Sequence, residues 1–120
     1  MELALKHAKG ETYIFGGSGT RLDHTLATLL ALKTQIFVDE TNRIRKISKG
    51  RTILKPGGYR YVSIIPITSS IILSLSGFVY NLTKTKIFRS STRGVSNEIS
   101  GRQAVIDLFA GKAWVVESND

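Results

Sequence analysis

The chain has 120 residues, within the size of a single domain, and its 42% of apolar residues suffice to bury a core. It contains no cysteine, which excludes disulfides and thiolate metal sites and fits a reducing, cytoplasmic setting; no apolar run approaches the ~20 residues of a membrane span, so no membrane partner is expected. Lys and Arg number 17 against 9 Asp and Glu, and the resulting net charge of +8 invites a polyanionic partner such as nucleic acid.

Met1–Lys6 lacks the organisation of a signal peptide. Leu3, Ala4, Leu5 and Ala8 suggest a short helix stopped by Gly10. Thr12-Tyr13-Ile14-Phe15 reads as a compact buried strand that gives way to a glycine-rich loop, Gly16-Gly17-Ser18-Gly19. Leu22, Leu26, Leu29 and Leu30 then recur at helical spacing on one face, which predicts an amphipathic helix over residues 21–33. Thr20 and Asp23 have the Thr-x-x-Asp spacing of a capping box.

After Lys33 the pattern turns to β. Gln35–Val38 leads into a turn at Asp39–Asn42, followed by Ile44 and Ile47, a break at Gly50, and Ile53–Leu54 ended by Lys55-Pro56-Gly57-Gly58. Tyr59–Ile67 reads as a long strand with Tyr59, Tyr61, Ser63 and Ile65 on one face, and Pro66 marks an edge or an end. Ile71–Leu75, Tyr80–Leu82, Lys86–Phe88, Gln103–Phe109 and Ala113–Val116 follow as further strands. Strands spaced by roughly 8–12 residues argue for a β-sandwich or jelly-roll-like unit. The expected fold is therefore α+β, with residues 1–33 the end of an α/β domain and residues 34–120 an all-β sandwich. One strand and a pair of helices do not complete a parallel sheet, so the chain is expected to be the C-terminal piece of a larger protein, held by swapping or dimerising through the exposed strand.

Chemistry concentrates in two loops. In the first, glycines at a strand-to-helix junction let the backbone approach an anion, and free helix N–H groups favour a phosphate. Gly16, Gly17, Gly19 and Thr20 form this candidate cradle, joined within one turn by Arg21, Asp23 and His24. It lacks the Gly-Lys-Ser/Thr ending of a nucleotide P-loop, and Leu22 stands where the dinucleotide fingerprint has its third glycine. Arg21 suits a phosphate or is a solvent cation. Asp23 caps helix N–H groups or helps to hold Mg²⁺. His24, biased toward the neutral form by the helix dipole, donates to a substrate or sits at the surface. The second loop, Ser91–Glu98, lies between β stretches, and its hydroxyls with the Asn97 amide suit an amino-substituted heteroaromatic ring or are plain turn chemistry. Trp114, the single tryptophan, is core packing or a platform for a flat or cationic ligand. The basic run Arg43, Arg45, Lys46, Lys49 and Arg51 partly alternates, as on the solvent face of strands, or forms a phosphate-binding surface.

These blocks, in order, resemble the thiamin pyrophosphokinase family. Gly16–Ala27 resembles its Gly-Gly-Arg-Leu-Asp-His-Thr-Leu segment, and Asp39-Glu40-Thr41-Asn42 its Asp-Glu-x-Asn turn. Ser63–Ile67 resembles its Ser-Leu-Ile-Pro-Leu strand, Thr92–Glu98 its Thr-x-Gly-x-Ser-Asn-Glu loop, and Glu2–Leu5 the helix after its acidic motif. The resemblance implies an α/β catalytic domain followed by a β-sandwich, working as a homodimer with the site between subunits. It implies transfer of the pyrophosphoryl group of ATP to thiamin, giving thiamin diphosphate and AMP, with Mg²⁺. By position, Gly16, Gly17, Gly19, Thr20, Arg21 and His24 would serve ATP, and Arg21 and Asp23 the catalytic and metal side. Ser96 and Asn97 would contact the thiamin pyrimidine, and Trp114 would stack on thiamin from the partner subunit. The family's acidic motifs that hold Mg²⁺ are absent here, so the chain alone is expected not to turn over. A basic β-sandwich module binding nucleic acid or another polyanion is the alternative; Tyr59, Tyr61 and Tyr80 are not clearly interleaved with the basic run as base stacking requires.

Overall fold

A computed structural model of the chain describes residues 4–6, 12–16 and 21–120. The elements in order are β1 (Ala4–Lys6), β2 (Thr12–Phe15), α1 (Leu22–Ala31), β3 (Ile36–Val38), β4 (Asn42–Ile47) and β5 (Gly50–Leu54). They continue with β6 (Tyr61–Pro66), β7 (Ser70–Ser76), β8 (Leu82–Phe88), β9 (Ala104–Ala110) and β10 (Ala113–Ser118). A six-stranded sheet has the order β1-β2-β3-β4-β10-β6 and a four-stranded sheet the order β5-β9-β7-β8. Pairing is antiparallel except between β2 and β3, the parallel pair that α1 connects. The larger sheet runs continuously across the expected domain boundary at Lys33 and Thr34.

Alternation along β10 sorts the molecule into layers. Ala113 and Val115 point between the sheets and are fully buried with Ile47, Ile64, Leu73, Ile106 and Leu108, the sandwich core. Trp114 and Val116 point to the opposite face, where α1 lays Leu29 and Leu32 over Phe37 and Ile44. Each buried leucine or isoleucine contributes about 1.5–3 kcal/mol relative to exposure, so the sandwich core dominates stability.

Several expectations change. Ala4–Lys6, expected as part of a helix, is a strand antiparallel to β2, with Ala4 opposite Ile14. So short an apolar stretch cannot offset helix nucleation, whereas the open edge of β2 supplies backbone partners at once. Helix α1 starts and ends inside the expected limits, and Arg21 rather than Thr20 occupies its N-cap, without a side-chain cap. Thr20 lies outside the described residues. Of the four leucines expected on one apolar face only Leu29 is buried; Leu22, Leu26 and Leu30 are 70%, 47% and 60% exposed. The helix has a single layer beneath it, so the half-buried inner side reads Thr25, Thr28, Leu29 and Leu32, and the other leucines face solvent.

Tyr80 is not in a strand, and Leu82–Phe88 is one strand rather than two. A register shift between Leu73 and Leu75 and a left-handed Lys84 (φ 41°) carry it past the polar stretch that suggested a break. Strand β6 begins at Tyr61 and lies at the sheet edge, where Pro66 lacks only an N–H that the ladder does not need.

Candidate functional site

The loop before β9 hangs on the edge of β6. Val62 and Asn97 exchange backbone hydrogen bonds of 2.7 and 2.9 Å, and the Ile64 N–H donates to Gly94 O at 2.8 Å. A side chain at Gly94 would bring its Cβ to 2.7 Å from Ile64 O, so the close approach requires glycine. Ser96 is held in the left-handed region (φ 62°), its N–H donating to Ser63 Oγ at 2.9 Å while its side chain stays exposed.

Asn97 is buried and faces inward. Its Nδ2 donates to Tyr80 O at 2.7 Å, and its Oδ1 accepts from the N–H groups of Tyr80 and Glu98, both at 3.0 Å. The oxygen is therefore saturated and one Nδ2 hydrogen is left for a ligand. Asn97 thus clamps the Tyr80 turn to the loop. Between them lies a cavity of about 420 Å³, walled by Val79, Tyr80, Leu82, Arg93, Val95 and Asn97. Exposed apolar and aromatic walls with a polar rim suit a flat heteroaromatic ring, and Arg93 offers a cation to an anionic substituent.

Trp114 sits in the middle of β10, opposite Ile65 and Lys46. It is half-buried in the helix-side cluster, and its Nε1–H donates to Leu29 O at 2.9 Å. Its polar handle thus ties the sheet to α1. Ser63 lies on the same face of the sheet as Trp114, through its pairing with Val116, two positions from the Trp114–Ile65 pair.

At the start of the glycine loop, the Gly16 N–H donates to Val38 O at 2.8 Å, and a Cβ at Gly16 would run into the Phe37 ring. Gly17, Ser18, Gly19 and Thr20 lie outside the described residues. Arg21 Nη2 meets Asp23 Oδ2 at 2.7 Å, and Asp23 Oδ1 accepts the His24 N–H at 2.9 Å. All three residues are exposed, and an exposed pair of this kind contributes only ~0–1 kcal/mol. The described residues do not fit a Mg²⁺ cage: Asp23 is a lone carboxylate already neutralised by Arg21, and no cluster of three or more metal-ligating side chains forms among them.

Sequence reasoning missed one cluster. The alternation of the basic run predicts a solvent face for Arg43 and Arg45, yet both point to the inner side of β4 and are half-buried around Glu117, which is 2% exposed. Arg43 Nε and Nη2 reach the two Glu117 oxygens at 3.0 and 2.9 Å, and Arg45 Nη2 lies 3.7 Å away. The hydrogen bond to Glu117 holds the Arg43 guanidinium above its ordinary pKa, and the guanidinium lies 4.9 Å over the Tyr59 ring. The available signal was a lone carboxylate at the end of the apolar run Ala113–Val116, in phase with its inward residues.

A family model described as thiamin pyrophosphokinase, vitamin B1 binding domain, matches residues 46–111. The curated thiamine pyrophosphokinase of Bacillus subtilis is 32% identical over 129 residues, covering 100% of this chain and 60% of that protein. The crystal structure of the Bacillus subtilis thiamine pyrophosphokinase aligns with a TM-score of 0.86 and 28% identity, over 92% of this chain and 56% of that one. That of the Geobacillus thermodenitrificans thiamin pyrophosphokinase aligns with a TM-score of 0.85 and 29% identity, over 92% of this chain and 54% of that one. The chain thus spans 60% of the length of the curated relative it matches.

Proposed function

We propose, because this chain belongs to the thiamin pyrophosphokinase family through its vitamin B1 binding domain, that it supplies the thiamin side of a kinase that transfers the pyrophosphoryl group of ATP to thiamin. The products are thiamin diphosphate and AMP. The observation that carries this reading is the family match over residues 46–111, which contains the whole Gly94–Asn97 loop and the Tyr80 turn it clamps.

Within that reading the pyrimidine ring enters the cavity beside Tyr80. The remaining Nδ2 hydrogen of Asn97 meets its polar edge and the face of Tyr80 receives the ring, while the exposed Ser96 hydroxyl, outside the cavity wall, is offered to a part of thiamin that projects from it. Trp114, engaged with α1, acts as a strut unless its exposed part reaches thiamin across a subunit interface. Arg21, released from Asp23, bears on the ATP phosphates with His24 and the backbone of Gly16, Gly17, Gly19 and Thr20. Pyrophosphoryl transfer needs positioning and charge neutralisation more than covalent chemistry, so these groups suit it. Mg²⁺ would shield the phosphate charge in the complete site, with ligands other than Asp23 alone. A homodimer with the site between subunits belongs to the same proposal.

An assay of AMP and thiamin diphosphate formation tests it. The chain alone is expected to bind thiamin without turnover, and a family-length protein carrying this chain to form both products. AMP released by the chain alone would contradict the division of labour, and a family-length protein inert toward thiamin would contradict the substrate.

A further inference from the structure

The groove at the far end of α1 is built for an anion and has no part in the proposed thiamin chemistry. It opens where β4 turns into β5, a cavity of about 380 Å³ walled by Lys33, Thr34, Arg45, Lys46, Ser48 and Thr52. An adjoining hollow shares Lys33, Thr34, Lys46 and Ser48 and adds Lys112 from the β9–β10 turn. No Asp or Glu lines either one. The cations come from separate elements: the end of α1, strand β4 and the last hairpin. The hydroxyls of Thr34, Ser48 and Thr52 add neutral donors between them.

Arg45 borders the groove from the inner face of β4, on the side opposite Lys46. Its Nε is buried with no hydrogen-bond partner, alone in this among the buried side-chain polar atoms of the described residues. Glu117 does not satisfy it, because that carboxylate holds Arg43 in a two-point contact and touches Arg45 only at 3.7 Å. Closed to solvent, that Nε is out of reach of a groove ligand, so Arg45 adds charge to the site rather than a hydrogen bond from this atom. Against an anion stand the carbonyl end of α1, equivalent to about half a charge and confined to its last turn, and the Glu117 carboxylate 3.7 Å from Arg45, which Arg43 already pairs. The full charges of Lys33, Arg45, Lys46 and Lys112 outweigh them.

We propose that this groove binds a short phosphate chain, an oligophosphate of the inorganic tripolyphosphate type, at a site separate from the glycine loop. The ten-residue helix α1 puts Arg21 and Lys33 at its opposite ends, about 15 Å apart. No aromatic or histidine side chain walls the groove, so nothing stacks on a nucleobase, and the recognised feature is the phosphate chain itself. The volume admits a small anion and no duplex.

Calorimetric titration of the full chain with sodium tripolyphosphate at low and moderate salt tests this, with amide shifts followed by NMR. The expected result is saturable binding of one equivalent that weakens as salt rises, with shifts at Thr34 and Ser48. Lys33→Ala with Lys46→Ala is expected to weaken binding at least tenfold. The pair Lys33→Ala and Lys112→Ala, both at exposed positions, guards against misfolding and should do the same. Arg21→Ala should leave the affinity unchanged. Absence of saturable binding overturns the proposal, as does a loss caused by Arg21→Ala and not by the lysine pairs. Tighter binding of a short RNA than of tripolyphosphate, lost in the same lysine variants, overturns it in favour of a nucleic-acid surface.

Discussion

Asn97 marks the limit of what composition reveals at the residue scale. The sequence singles out Ser96 and Asn97 as polar groups in a loop; Asn97 walls the cavity, whereas the exposed Ser96 does not. The sequence does not reveal that the Asn97 amide turns inward to hold both backbone groups of Tyr80, because local spacing carries no information on a contact 17 residues away. Asn97→Ala therefore removes a clamp more than a ligand contact. It should lower stability by about 2 kcal/mol in urea unfolding, the cost of leaving buried partners unsatisfied. Ser96→Ala, at an exposed position, should leave stability within ~0.5 kcal/mol and weaken thiamin by up to about tenfold. Glu117→Gln leaves two half-buried guanidinium groups without their counter-charge and should cost roughly 3–5 kcal/mol. The sign for pH follows from Arg43: a raised pKa gives stabilisation that is complete below the ordinary guanidinium pKa and lost only above it. Unfolding free energies measured between pH 6 and pH 9 should thus show no loss attributable to Arg43, and a fall there that vanishes in Arg43→Met would contradict the assignment.

At the scale of elements, strands with strong alternation were legible. Ile36–Val38, Ser70–Ser76, Ala104–Ala110 and Ala113–Ser118 all fall where the pattern puts them, because both faces of each strand have a fixed environment. Helix α1 was legible as a helix but not in its buried face. Four leucines compete for the inner side, and the sheet beneath accepts the one defined by Leu29 and Leu32. Leu32→Ala should cost about 2–5 kcal/mol by opening a cavity over Phe37, while Leu26→Ala should stay within ~0.5 kcal/mol. Equal costs in denaturant unfolding would mean that α1 packs differently. Trp114→Phe keeps the ring and loses the bond to Leu29 O, an effect of about 1 kcal/mol in the same measurement. The strand at Ala4–Lys6 was not legible, since its partner edge exists only once β2 is in the sheet.

For the whole molecule, length and alternation pointed to a sandwich and the ordered blocks to a family, and the fold and family match agree with both. The junction near Lys33 is a change of pattern in the sequence, yet one sheet passes through it, because parallel β2–β3 and antiparallel β3–β4 share the same strand. Charge is arranged with similar economy: Arg43 and Arg45 converge on Glu117 inside, whereas Lys33, Lys46 and Lys112 converge on an open groove. Thiamin is the proposed occupant of the cavity between Tyr80 and the Gly94–Asn97 loop. Calorimetric titration of the chain with thiamin, wild type beside Tyr80→Ala, tests it most directly. Saturable binding is expected, which Tyr80→Ala, at a 72% exposed position, weakens several-fold without altering the unfolding midpoint. Thiamin binding that is indifferent to Tyr80 and Ser96 but lost in Trp114→Ala would place the ligand on the helix side of the sheet and contradict it.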